Sequence, residues 1–266
     1  MMSQLTAAKA TICIVNYKTE ELTRLCLRSI RRFTKDYPYE VVVVDNDSGD
    51  GSLEYLRSLK WIKLIERPGQ VMKSGSWAHG TALDLGLDAA QTEFFVAMHS
   101  DTFVHKAGWL PFLANLAKPD IACAGAGKIE LKPKWQLLLK HATDVRQWYK
   151  KLTGDKKSRF YVRAICALYR TEILRKEKLQ FAMGVDDGFT CGKQLYYRLR
   201  ELGYGTIEVS ALTMSKYVFH LAHATMVLNP EFKVRKRTEK KCRRELMKVL
   251  SSPLAKEILA DDSLDR

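Results

Sequence analysis

Apolar and polar positions in the first hundred residues alternate between two periods. Residues 10–17 (ATICIVNY) and 40–46 (EVVVVDN) are short, continuous runs rich in β-branched residues. They are too apolar for half-exposed strands and suit the interior of a parallel sheet covered on both faces. Between them Thr19 can cap a helix that carries Glu20 and Glu21 in its first turn and Leu22, Cys26, Ile30 and Phe33 along one side. That is the 3.6-residue period, with acids at the positive end of the helix. Together these segments predict a βαβ unit. The alternation continues with a helical pattern over 53–59, an extended run over 61–66, a helical pattern over 79–90 and an extended run over 94–98. Strands alternating with helices predict an α/β domain with a mostly parallel central sheet flanked by helices.

Beyond residue 130 the rhythm loosens. Residues 132–159 mix Trp135, Trp148 and Tyr149 with many cations; strands are predicted over 161–169 and 214–221, and helices over 188–202 and 233–250, the last strongly basic. The second half is expected to add strands to the same sheet rather than to fold apart.

A chain of 266 residues, 46% hydrophobic and 28% charged, can bury one sizeable core. No apolar run approaches the roughly 20 residues needed to cross a bilayer, and the N-terminal residues lack the layout of a secretion signal, which predicts a cytoplasmic protein. The six cysteines are scattered without CxxC spacing and are expected to be reduced packing residues. The net charge of +14 is unevenly placed: residues 1–130 are balanced, and the whole excess falls in residues 131–266. A basic half can attract nucleic acid, an anionic membrane or a phosphorylated substrate.

Ligands of open parallel sheets bind at the carboxyl ends of strands, so the polar residues that end each run form one candidate set. They are Asn16 and Tyr17, then Asp45 and Asn46 at the head of the turn DNDSGDGS, then His99, Ser100 and Asp101. A carboxylate at a strand end can accept hydrogen bonds from a nucleobase N–H or a ribose hydroxyl, and a glycine-rich turn lets backbone approach a ligand.

The segments TICIVNYKTEELTRLCLRSI, VVVVDNDSGDGS, SWAHGTALDLGLDAA and FFVAMHSDTFVHKAGWL, in this order and spacing, resemble the nucleotide-binding half of the family 2 glycosyltransferases of GT-A fold. The resemblance extends over residues 10–225. It implies a single GT-A (Rossmann-like) domain, with 10–130 as nucleotide-binding half and 131–225 as acceptor half, followed by a basic helical C-terminal extension over 226–266. It implies that Asp45 contacts the donor base and that Asn16 and Tyr17, with Asn46, line the nucleotide site. His79, in SWAHGTAL, either touches the donor or caps its helix.

The family's metal motif is two carboxylates one residue apart; the matching stretch here is His99-Ser100-Asp101, with one acid. Mg²⁺ or Mn²⁺ can accept a single protein carboxylate when phosphate oxygens and waters fill its other positions. Asp101 is therefore the expected ligand, with His99 and Ser100 beside the ribose or the metal. The resemblance adds a histidine from VFHLAHAT, which His220 matches better than His223. It also aligns Asp186-Asp187, in GVDDGFTCGKQLYYRLRELGY, with an acid pair that begins a helix. There Asp187 would take the acceptor hydroxyl proton, with Asp186 positioning acceptor or base.

These residues predict a metal-assisted, inverting transfer of a sugar from a nucleotide-sugar donor, in bacterial-type polysaccharide or glycoconjugate synthesis. Two other readings stand beside it. A nucleotidyltransferase would be expected to show a basic, glycine-rich loop after the first strand, where this chain has Asn16-Tyr17-Lys18-Thr19; a basic module for nucleic acid or membrane would leave the strand-end carboxylates without a role. The basic second half further predicts an anionic glycan acceptor, lipid-linked or phosphorylated, and peripheral contact with the inner face of the membrane, with nucleic acid disfavoured.

Overall fold

A computed structural model describes residues 8–69, 73–127, 145–153 and 161–266, with the single positions 129, 135, 139 and 143. The chain begins β1 (Ala10–Asn16), α1 (Glu20–Phe33), β2 (Tyr39–Asp45), α2 (Ser52–Ser58), β3 (Ile62–Glu66), α3 (Gly75–Ala89) and β4 (Phe94–His99). After β4 come β5 (Thr102–Val104), α4 (Trp109–Leu116), β6 (Ile121–Ala126), β7 (Cys166–Arg170), β8 (Gly205–Val209) and β9 (Val218–His220). Seven strands form one sheet in the order β3-β2-β1-β4-β7-β6-β8, while β5 and β9 make a small second sheet. The pairs among β1 to β4 and the β6–β8 pair are parallel; β7 runs antiparallel to both β4 and β6.

The continuous apolar runs follow from burial on both faces. Ile12, Ile14, Val41, Val43, Val96 and Met98 point into a core shared with α1, α2 and α4. Their neighbours Cys13, Val15, Val42, Val44, Phe95 and Ala97 point into a second core under α3 and the helix Lys193–Glu201. Where α3 crosses the sheet, Gly86 leaves space for Cys13: a Cβ there would collide with the thiol sulfur.

Several predicted boundaries move. The strand predicted over 161–169 is ordered only as Cys166–Arg170, and the helix predicted over 188–202 starts at Lys193, after Gly192 at positive φ. The strand predicted over 214–221 divides into a short helix, Ala211–Met214, capped by Ser210, and the strand β9. Thr19 does precede α1, but its hydroxyl makes no cap: it lies 3.3 Å from Asn16 Oδ1 and from Ser100 Oγ, inside the strand-end network.

The C-terminal helices Lys236–Leu250 and Pro253–Ala260 pack into the α1 core through Cys242, Leu246, Val249, Ala255 and Ile258. Arg28 of α1, fully buried, clamps the last turn: its guanidinium meets Asp265 at 2.5 Å and Asp262 at 2.6 Å and donates to the Leu259 carbonyl. All six cysteines are free; five are buried, and Cys13, Cys26, Cys123 and Cys166 have thiol pKa values raised by burial, as expected of packing residues. Among the described residues no helix is long and apolar enough to cross a membrane.

Candidate active site

The parallel register sets Asn16 level with Asp45, and Val15 level with His99, so the strand ends open onto one side of the sheet. A cavity of about 580 Å³ lies there. Its floor is Val15, Tyr17, Asn46, His99, Ser100 and Asp101; its walls include the first turn of α3, Arg163 and Thr190-Cys191. A last side comes from His220, His223, Met226 and Phe232. The segment bearing Phe232 is fastened across the strand ends: Glu231 accepts hydrogen bonds from Tyr17 Oη (2.7 Å) and Lys18 Nζ (2.9 Å), and Phe232 meets the Tyr17 ring edge-on.

Asp101 is 4% exposed and His220 7%. They meet because β5, directly after Asp101, pairs with β9 in a register that sets Thr102 opposite His220, and because the Leu221 N–H donates to the Asp101 carbonyl at 2.9 Å. His220 Nε2 then stands 3.1 Å from Asp101 Oδ1, and His99 Nδ1 stands 3.6 Å from the same oxygen. One ligating atom from each of the three lies within 4.8 Å of the others. Despite the short approach, Asp101 Oδ1 has no hydrogen bond, nor has the other His220 nitrogen, Nδ1. Buried polar atoms are normally satisfied, and an unpaired carboxylate oxygen approached by two imidazole nitrogens fits a cation site. Burial alone would raise the Asp101 carboxyl pKa, but His220 and His99 beside it outweigh that and hold it well below the ordinary carboxylate range.

His79, on α3, packs edge-on against His99 with ring centres 4.5 Å apart. Its Nε2 is buried without a hydrogen-bond partner, and burial, then the neighbouring His99, pushes its pKa well down, so it stays neutral. His79 sits in the second turn of α3 and not at its cap, which is Ser74, accepting from Trp77 N–H at 3.1 Å. That removes the helix-capping alternative and leaves the cavity wall.

Two expected nucleotide contacts are not on that wall. Asn16 and Asp45 are buried against each other: Asn16 Nδ2 donates to Asp45 Oδ1 at 2.6 Å, and Asp45 also accepts from the Ser48 hydroxyl and N–H. Both side chains are occupied in holding the turn after β2. The neighbour Asn46 faces the cavity instead, fixed by Arg67, whose guanidinium donates to Asn46 Oδ1 at 2.6 Å.

The acid pair Asp186-Asp187 does not begin a helix. It lies exposed in the turn before Gly188, five residues ahead of the helix that starts at Lys193. That turn is held on α3, where Asp84 accepts from the N–H groups of Phe181 (2.6 Å) and Ala182 (3.2 Å), and where Gly80 lets the Ala182 backbone approach closer than any Cβ would allow. Asp186 reaches Lys73 at 3.8 Å, next to the cavity residues Ser74 to Ser76, so the pair stands at the rim. Arg163 was not among the expected site residues. Its Nε is buried without a partner on the cavity wall, and the signal was a lone cation in the apolar run YVRAICALY.

The model of the glycosyl transferase family 2 matches residues 11–177, more than half of the chain and every strand-end residue of the cavity floor. The chain belongs to that family. Among solved structures, it is similar to the mannosyltransferase PcManGT from Pyrobaculum calidifontis in complex with GDP-Man and Mn²⁺, at 20% identity and a TM-score of 0.55, covering 96% of this chain and 74% of that one. It is also similar to S. aureus TarS 1-349, at 18% identity and a TM-score of 0.53, covering 95% and 69%. The same TarS fragment in complex with UDP-GlcNAc matches at 19% identity and a TM-score of 0.51, covering 95% and 70%. Curated proteins include no match. This glycosyltransferase thus has the GT-A architecture that its strand order implies: a mostly parallel seven-stranded sheet flanked by helices. The family match ends before Asp186.

Proposed function

We propose that this glycosyltransferase moves a sugar from a nucleoside diphosphate donor to an acceptor hydroxyl with inversion, in the synthesis of a bacterial-type polysaccharide or glycoconjugate. The observation that carries the reading is the His99–Asp101–His220 cluster, with unpartnered atoms on its buried Asp101 and His220, lining a cavity at the strand ends. Tyr17, Asn46 and Ser100 offer the base and ribose an aromatic face and polar groups, with Asp45 and Asn16 positioning Asn46 through their turn. Held by His99, Asp101 and His220, Mn²⁺ or Mg²⁺ would supply positive charge against the departing diphosphate. Arg163 and the positive N-terminal end of α3 face the same cavity and favour an anion there.

Inversion is supported by what the cavity lacks. Among the described residues, Asp101 is the one carboxylate on its wall, and burial pushes the Cys191 thiol far up, so that it presents no thiolate. The base must then come from the rim, where Asp187 takes the acceptor proton and Asp186, held near Lys73, positions it. Thermal unfolding with UDP, GDP or dTDP tests the donor site. At about 100 times its Kd one of them, with Mn²⁺, should stabilise the fold by roughly 2.7 kcal/mol. No shift with any of the three would remove the donor reading.

The acceptor is an anionic, lipid-linked glycan met at the inner membrane face. The helix Val145–Leu152 supports this reading: Val145, Tyr149 and Leu152, spaced to share one side, are 71%, 69% and 82% exposed. They sit in a sequence that includes Arg146, Lys150 and Lys151. The helix Lys236–Leu250 adds exposed Lys240, Lys241, Arg243 and Arg244 behind its buried face. Each cation near an anionic leaflet contributes about 1 kcal/mol, screened by salt. In co-sedimentation the protein should bind anionic vesicles at about 0.05 M salt and lose most of that binding by about 0.5 M, with neutral vesicles inactive. Equal binding to neutral vesicles, or none to either, would exclude the membrane role.

A further inference from the structure

The cavity extends past the strand ends that would hold the donor's base and diphosphate. The order β2-β1-β4-β7 sets Asn46, Tyr17 and His99 in line, and β7 runs antiparallel, so its start lies beside the end of β4. The His99 N–H accordingly donates to the Ile165 carbonyl at 3.0 Å. The backbone of Arg163, two residues before Ile165, therefore stands one strand spacing, roughly 4.8 Å, beyond His99 on the side away from Asn46. We propose that Arg163 recognises a carboxylate on the transferred sugar, so that the donor is the nucleoside diphosphate ester of a glycuronic acid.

The inference rests on the donor-site reading, which sets the diphosphate at the His99–Asp101–His220 cluster and the acceptor hydroxyl at the rim acids. The transferred sugar then lies between the two. The rim turn that carries Asp186 and Asp187 continues into Thr190 and Cys191 on the cavity wall. Tyr161 Oη pairs with Thr190 Oγ1 at 2.7 Å and ties the segment of Arg163 to that turn. The wall beside the sugar is thus Arg163, Ala164, Ile165, Thr190 and Cys191.

Arg163 is fixed in that wall. Its backbone N–H donates to the Ala126 carbonyl, at the end of β6, at 3.1 Å. Its guanidinium lies over the ring of Tyr161, a residue 4% exposed, 5.1 Å from the ring centre, and Nε is buried without a partner. Lys193 Nζ, 5.6 Å from the centre of the same ring, adds positive charge. Among the described residues, Asp101 is the one carboxylate on the cavity wall, and it is engaged by His220 and His99.

The ligand chemistry follows from that imbalance. A neutral hexose presents hydroxyls, which a site meets with acceptors as well as donors, carboxylates being the strongest acceptors. The five wall residues include no carboxylate, and a neutral sugar packed on Arg163 would leave a desolvated cation without a counter-charge, which is costly. A carboxylate accepts two parallel N–H bonds from the guanidinium fork, a fit that lysine does not reproduce.

The test is titration calorimetry of the full chain with Mn²⁺, comparing UDP-glucuronic acid with UDP-glucose, GDP-mannuronic acid with GDP-mannose, and dTDP-glucuronic acid with dTDP-glucose. For the base that binds, the glycuronate should bind at least about 10-fold more tightly than the neutral sugar, the scale of a charge-assisted hydrogen-bonded pair. Arg163→Gln, checked by circular dichroism, should bring that ratio to within about 3-fold, while the bare nucleoside diphosphate weakens by less than about 3-fold. Arg163→Lys keeps the charge and most of the packing, so it should fold and still lose at least about 3-fold of the preference. A ratio near one in the unaltered protein, or a preference undiminished in both variants, would overturn the inference. Equal weakening of the bare nucleoside diphosphate and its glycuronate in Arg163→Gln would make Arg163 a diphosphate ligand and overturn it too. So would Arg163-dependent binding of inorganic phosphate over saturating nucleoside diphosphate with no glycuronate preference, which would assign the anion to the acceptor. Binding of UDP, GDP or dTDP alone is scored separately, so failure here is distinguishable from failure of the donor site.

Discussion

Asp101→Asn is expected to lower sugar transfer by about 10³-fold or more, the scale of the several kcal/mol that charge neutralisation of a leaving diphosphate supplies. The substitution keeps the shape of a side chain that is 4% exposed, so the fold should survive it. What it removes is, among the described residues, the one carboxylate on the cavity wall, which His220 and His99 hold ionised far below neutral pH. Nucleoside diphosphate affinity measured without divalent ion should change by less than about 3-fold, because Tyr17, Asn46 and the first turn of α3 are unaltered. Affinity measured with the ion should fall to that same level. Calorimetry in the two conditions, alongside turnover, reads both effects. Metal-stimulated transfer that persists in Asp101→Asn would place the cation elsewhere.

The first half of the fold was legible because its strands are covered on both faces. That forces runs such as TICIV and VVVV to be apolar throughout, and the helix period is then visible between them. The second half lacked that signal for identifiable reasons. β6 reads IACAGA, with small residues, because Gly125 packs directly on Ala167 of β7, where a Cβ would come within 2.7 Å of the alanine side chain. β8 is a short edge strand of mostly half-buried residues, which present neither a continuous apolar run nor strict alternation. The direction of β7 depends on its partners β4 and β6 and leaves no mark in its own residues.

The site divides along the same line. Asp101 could be found locally, as the acid after a strand, but the contact with His220 requires β5 to pair with β9, a relation between distant segments. Composition could not choose between Asp45 and Asn46. Adjacent side chains at a strand end point to opposite sides; the acid turned inward to Asn16 and Ser48, and the amide turned to the cavity. His99 was expected beside the ribose or the metal, and its Nδ1 stands 3.6 Å from the carboxylate of Asp101, two residues along.

Asp187→Asn is expected to lower turnover by on the order of 10² or more with donor affinity unchanged, the usual scale for loss of a general base. The helix begins at Lys193 and offers the pair no dipole, so the role of Asp187 follows from its position. The turn carrying Asp186 and Asp187 is pinned to α3 by Asp84 and by the close passage over Gly80, and α3 also supplies cavity wall, so the pair is carried at a fixed place on the rim. Burial lifts the Asp84 carboxyl to about 6, against the two backbone N–H groups that lower it. Its charged form is therefore disfavoured in the fold, and its ionisation lies in the range where an activity profile would be read. The rate for Asp187→Asn should be compared with that of the parent enzyme at pH 7.5 or so, above that ionisation in both, so that a change at Asp84 is not taken for loss of the base. Asp186→Asn should cost less, about 10-fold, through weaker positioning. Near-normal turnover in Asp187→Asn, with Asp186→Asn inactive, would move the base one residue back; near-normal turnover in both would take the base away from this rim.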